Sequence, residues 1–106
     1  MKDIFIREAI KKEEVFKNLP KLLKEIKKIL NKMDKESKIF IFGSVAKNEH
    51  VLISDIDVLI LTKLKPNEVI AKLRKEGFDE PFEFHVMDEE RFRFYKQFIK
   101  ELKEIK

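Results

Sequence analysis

Cysteine and tryptophan are absent from this chain, and glycine, proline and tyrosine are scarce, at two, three and one residues. Without cysteine there is no disulfide, no thiolate metal site and no cysteine nucleophile. So few glycines and prolines leave no flexible low-complexity linker, and no internal repeat is found. Long hydrophobic runs are missing too. The apolar run Val58 to Leu61 is far short of the ~20 residues that span a bilayer, so no membrane partner is expected. No apolar run follows the charges of Met1-Lys2-Asp3-Ile4, so the expected location is cytoplasmic.

What the chain has is charge of both signs. Charged residues make up 42% of the 106, against ~25% in an average soluble protein. They are interspersed, and the net charge of +4 comes from a dense mixture of lysine and glutamate. No basic stripe stands clear of acids, so nucleic acid is not the expected partner. Hydrophobic residues, at 43%, suffice for one packed core. We therefore expect a single domain over 1–106, with N-terminal helices at 1–36, a catalytic sheet region at 37–87 and a C-terminal helix at 88–106.

Periodicity sets the expected elements. Leu19, Leu22, Leu23, Ile26, Ile29, Leu30 and Met33 recur at helical steps, with Pro20 near the start where a missing N–H costs nothing. A weaker helix is expected before it, around Arg7 to Lys17. The period then changes. Lys38 to Phe42 reads as a strand ending at Gly43-Ser44, and Ser54 to Thr62 as a second strand opening with two carboxylates. Pro66 to Glu76 reads as a helix stopped by Gly77, and Phe82 to Val86 as a third strand. A final helix is expected from Asp88 to Ile105, with Phe92, Tyr95, Phe98, Ile99, Leu102 and Ile105 on a broad apolar face. The expected fold class is α+β (α/β), a small three-stranded mixed sheet packed with helices.

The chemistry concentrates in the middle. Period two puts Asp55 and Asp57 on one strand face, about 7 Å apart, with Ile56, Val58 and Ile60 on the other. Two carboxylates that close repel unless a cation sits between them, and Mg²⁺ suits oxygen donors. The short connection between the first two strands implies antiparallel pairing, which brings Gly43-Ser44 beside the aspartates. Glycine permits close approach to a ligand, and N–H groups at such a turn hold phosphate oxygens. A helical crossover joins the second and third strands, so they pair in parallel and their starts align. Glu83 then faces the aspartates as a third acid. His85 shares its face but reads as a neighbour and not a ligand, because Mg²⁺ prefers oxygen. His50 reads as a solvated residue, and so does Lys47, for which a charge on the phosphates is the alternative.

Gly43-Ser44-Val45-Ala46-Lys47-Asn48 followed by Ser54-Asp55-Ile56-Asp57-Val58-Leu59-Ile60 resembles the signature of the minimal nucleotidyltransferases of the DNA polymerase β-like superfamily. The motif covers roughly residues 38 to 62, and the likeness extends more loosely to the third strand and into the final helix. Asn48 stands where the family usually has glycine, and Glu83 where it most often has aspartate. The resemblance implies a nucleotidyltransferase-like fold and transfer of a nucleotide from ATP or another nucleoside triphosphate by two metal ions. Asp55, Asp57 and Glu83 would bind Mg²⁺, with Mn²⁺ as the alternative, and Gly43 and Ser44 would hold the triphosphate. It also implies a small all-helical HEPN-type protein as partner, in a toxin–antitoxin couple where AMP is transferred to the partner's tyrosine. A small-molecule hydroxyl is the other acceptor.

Two further readings stay open. Arg91-Phe92-Arg93-Phe94-Tyr95-Lys96-Gln97-Phe98 carries aromatics on more than one helical face, which suits a non-catalytic protein-binding module or a homodimer. The same alternation of arginine and aromatic residues suits RNA or DNA, which ranks third.

Overall fold

The computed structural model describes residues 13–42, 55–99 and 101–106. After a helical stretch at 13–17, the elements are α1 (Leu19–Met33), β1 (Lys38–Phe42), β2 (Ile56–Leu61), α2 (Pro66–Lys75), β3 (Phe82–Met87), α3 (Glu89–Lys96) and β4 (Lys103–Ile105). The expected early helix thus has its later part inside the described residues, and its start at Arg7 lies outside them.

α1 forms where the spacing predicts it. Leu19, Leu23, Ile26 and Leu30 line its buried side, and Pro20 sits in the first turn. Asn18 supplies no side-chain cap, so burial of that apolar face carries the helix. α2 begins on Pro66 and buries Val69 and Leu73. It stops at Gly77, whose φ of +99° suits a residue without a Cβ. The Gly77 N–H donates to Arg74 O and the Phe78 N–H to Leu73 O, both at 3.0 Å, which is the paired closure of a Schellman end.

The sheet has the order β3-β2-β1-β4. β1 pairs antiparallel with β2 and with β4, and β2 pairs parallel with β3. Both orientations between the first three strands follow from their connections, one short and one through α2.

β2 is central, and both of its faces are covered. Ile56, Val58 and Ile60 join Ile39, Ile41, Phe82, Phe84 and Val86 in a core with α1 and α2. Complete burial of an aliphatic side chain contributes about 1.5–3 kcal/mol, so this trio anchors the sheet. On the opposite face Leu59 and Leu61 pack with Phe40 and Phe92. The Phe40 and Phe92 rings stack at 5.1 Å, holding α3 on that face.

The C-terminal region departs from expectation. The helix ends at Lys96, and the chain turns to add β4, so the sheet has four strands and not three. Ile39 lies opposite Ile105, Phe40 opposite Glu104 and Ile41 opposite Lys103. The reason is backbone hydrogen bonding. Without β4 the outer edge of β1 would present unpaired N–H and C=O groups beside the core. Pairing satisfies that edge and still packs Ile99 and Leu102 against one cluster and Ile105 against the other.

Candidate active site

The site stands on the α3 face of the sheet, at the end where β2 and β3 begin. A 2.8 Å hydrogen bond from the Ile56 N–H to Pro81 O aligns those two starts. The parallel register sets Asp57 opposite Glu83 and Leu59 opposite His85, and the antiparallel register sets Phe42 opposite Asp57. Alternation sends Asp57 to the same face as Leu59 and Leu61, and Glu83 and His85 to the same face as Met87.

Among the described residues, α3 is too short to cover this end. Asp88 caps it by accepting a 2.9 Å hydrogen bond from the Arg91 N–H. Its eight residues rise only about 12 Å, enough to cover Leu59, Leu61 and Phe40 but not the far end of that face.

Asp57, Glu83 and His85 converge there, each offering one ligand atom, with all three atoms within 4.8 Å of one another. His85 Nε2 lies 3.1 Å from Asp57 Oδ1 and 3.6 Å from Glu83 Oε1. Asp57 and His85 are half-buried, and Glu83 is 54% exposed, so ions and phosphates can reach the cluster. The Phe42 ring lies 5.4 Å from the imidazole and backs it. Two carboxylates and an imidazole in this arrangement are a donor set for a divalent cation.

Asp57 and Glu83 are therefore brought together by the register that the crossover predicts. Asp55 precedes the first residue of β2 and is exposed, outside the convergent trio. Gly43 and Ser44 lie outside the described residues; Phe42, directly before them, is opposite Asp57. His85, set aside by the sequence reading, is the centre of the cluster. Its signal was present, since period two puts it on the face of Glu83, but its approach to Asp57 on the next strand is a tertiary fact.

A groove of about 400 Å³ runs from the cluster under α3, lined by Phe42, Leu59, His85, Val86, Met87, Arg91, Tyr95 and Ile99. A larger depression of about 760 Å³ between the start of α2 and α3 contains none of the three converging side chains.

The family model of the nucleotidyltransferase domain matches residues 23–106. The chain belongs to this nucleotidyltransferase family. It is similar to a solved crystal structure assigned as a nucleotidyltransferase, at 33% identity and a TM-score of 0.66, over 79% of this chain and 97% of that one. A second such structure, from Sulfolobus solfataricus, shares 24% identity and a TM-score of 0.57 over 92% of this chain and 85% of that one, and supports the fold. No curated protein matches the sequence. The small mixed α+β sheet is thus that of a nucleotidyltransferase, and the cluster can accept the divalent metal that the family uses. Among the described residues no helix is long and apolar enough to cross a membrane.

Proposed function

We propose that this nucleotidyltransferase transfers a nucleoside monophosphate, AMP from ATP, to a hydroxyl acceptor in the cytoplasm. The observation that carries the reading is the meeting of Asp57 and Glu83 with His85 where β2 and β3 begin, in a chain of this family. Asp55, Asp57 and Glu83 would hold Mg²⁺, with Mn²⁺ as the alternative. When bound, the ions supply positive charge to the phosphates and to the developing oxyanion.

The chain's own residues do the rest. Gly43 and Ser44 offer backbone N–H groups and a hydroxyl to the triphosphate. Glu83, the most exposed of the three, stands where an entering acceptor can give up its proton. The acceptor oxygen bonds to the α-phosphorus, the bond from that phosphorus to the β-phosphate bridging oxygen breaks, and pyrophosphate leaves. Arg91 and Tyr95 in the adjoining groove offer a guanidinium and an aromatic wall to the acceptor.

A HEPN-type helical protein whose tyrosine receives AMP is the acceptor we favour, which makes the chain an antitoxin. A specific observation supports a second reading, a non-catalytic protein-binding module: Phe94, Tyr95 and Phe98 are 57%, 43% and 68% exposed. Calorimetric titration of ATP with and without Mg²⁺ tests the first reading. Wild type should bind ATP in a metal-dependent way, and Asp55→Ala/Asp57→Ala should not. Equal binding by both proteins removes the aspartates from nucleotide binding, and binding by neither favours the docking module.

A further inference from the structure

We infer that His85 is a metal ligand, and that the Asp57–Glu83–His85 cluster selects a first-row transition ion, of the Mn²⁺ to Co²⁺ class, over Mg²⁺. This rests on the reading of the cluster as a metal site and revises it in two respects, the preferred ion and the inclusion of His85 among the ligands.

The three ligand atoms lie within 4.8 Å of one another, near the spacing of one coordination sphere and a few tenths of an ångström wider at Glu83. Ligand atoms about 2.1 Å from a common ion are about 3.0–3.4 Å apart at adjacent octahedral or tetrahedral positions. His85 Nε2 lies 3.1 Å from Asp57 Oδ1 and 3.6 Å from Glu83 Oε1. A single N–H donated to Asp57 accounts for the first distance. It does not account for the second, which is too long for a hydrogen bond yet brings another carboxylate to the same point. The ring is also positioned: Phe42 lies against it at 5.4 Å, and it stands on a central part of β3 beside Leu59.

The chemistry follows from the nitrogen. Mg²⁺ binds hard oxygen donors and holds its waters, so an imidazole in its sphere is a poor exchange. Mn²⁺ accepts both donor types, and affinity for a mixed nitrogen and oxygen set rises from Mn²⁺ toward Co²⁺. Replacing the imidazole by an amide should weaken the transition ions and barely touch Mg²⁺.

The test uses metals alone, without nucleotide. Wild-type protein titrated with MnCl₂, CoCl₂ and MgCl₂ should bind the first two at least tenfold more tightly than the third. His85→Gln should narrow that gap several-fold, and Asp57→Asn should abolish binding of all three. Pulsed EPR of the Mn²⁺ protein should show imidazole nitrogen coupling that persists in His50→Gln, the other histidine being at that position. Absence of nitrogen coupling in the wild type, or its loss only in His50→Gln, overturns the inference even where His85→Gln does not fold. An unchanged Mn²⁺ to Mg²⁺ ratio in a folded His85→Gln also overturns it. If Asp57→Asn still abolishes Mg²⁺-dependent ATP binding in that case, the transferase reading stands without it.

Discussion

Thr62 Oγ1 donates a 2.6 Å hydrogen bond to Asp34 Oδ2, tying the C-terminal end of α1 to the end of β2 across 28 residues of chain. Both residues are buried. The same hydroxyl accepts from the Leu64 N–H at 3.3 Å, and Asp34 Oδ1 accepts from the Glu36 N–H at 3.1 Å. The bond fixes the helix on the sheet at the end remote from the acidic cluster. Thr62→Val keeps the shape and removes the donor to a charged acceptor. It should cost about 1.5–3 kcal/mol, read as a lower urea midpoint. Mg²⁺-dependent ATP binding should be unchanged in the folded variant.

Asp34 also gives the fold an acid-sensitive point. The Thr62 hydrogen bond holds its carboxyl below the usual aspartate range; burial opposes this, while the Glu36 N–H and the Lys63 charge assist. A folded value below the unfolded one contributes stability that is present above about pH 4 and is lost as pH falls through the lowered folded value. Urea midpoints measured from pH 7 downward should therefore fall less steeply below about pH 4 in Asp34→Asn than in the wild type. Parallel curves for the two proteins would remove Asp34 from the acid response.

Glu83→Gln separates function from folding. Its carboxylate shares a small space with Asp57 and the His85 imidazole. Neutralising it relieves repulsion, so stability should change by less than about 1 kcal/mol. Nucleotide transfer to the acceptor should fall on the order of a hundredfold or more, as for loss of a general base. A variant that loses stability in proportion to activity would make Glu83 a structural residue.

The helix stop at Gly77 is conformational and not steric. A Cβ added there meets nothing within 4 Å, but φ is +99°. Gly77→Ala should therefore destabilise by about 1–2 kcal/mol in chemical denaturation, from backbone strain alone. D-alanine introduced by chemical synthesis should restore stability to near the wild-type value, because its mirror preference accepts that φ.

α3 and the turn after it present two kinds of aromatic residue. Phe92 is buried, so Phe92→Ala should cost about 3–5 kcal/mol. Phe94 and Phe98 are exposed, their rings 5.4 Å apart, and Phe94→Ser with Phe98→Ser should shift stability by less than about 0.5 kcal/mol each. If this face docks another protein, the pair of serines should abolish complex formation on gel filtration and leave ATP binding intact.

The amino-acid order by itself determined the two helices packed on the sheet, the three strands, and the placement of Asp57 beside Glu83. Each depends on local periodicity or on connection length: Leu19 to Leu30 at helical steps, Ile56, Val58 and Ile60 at period two, and a crossover helix that makes β2 and β3 parallel. Only the tertiary structure decided the rest. Phe98, Leu102 and Ile105 have helical spacing, yet the chain beyond Lys96 leaves the helix because the β1 edge needs partners, and Ile39 finds Ile105 from the other end of the chain. Alternation puts Asp55 with Asp57, but β2 starts at Ile56 and Asp55 stays exposed before it. His85 enters the cluster by reaching across to a neighbouring strand. Hydrogen bonding to a distant edge and convergence of side chains between strands are sums over the whole fold, and no local window of sequence contains them.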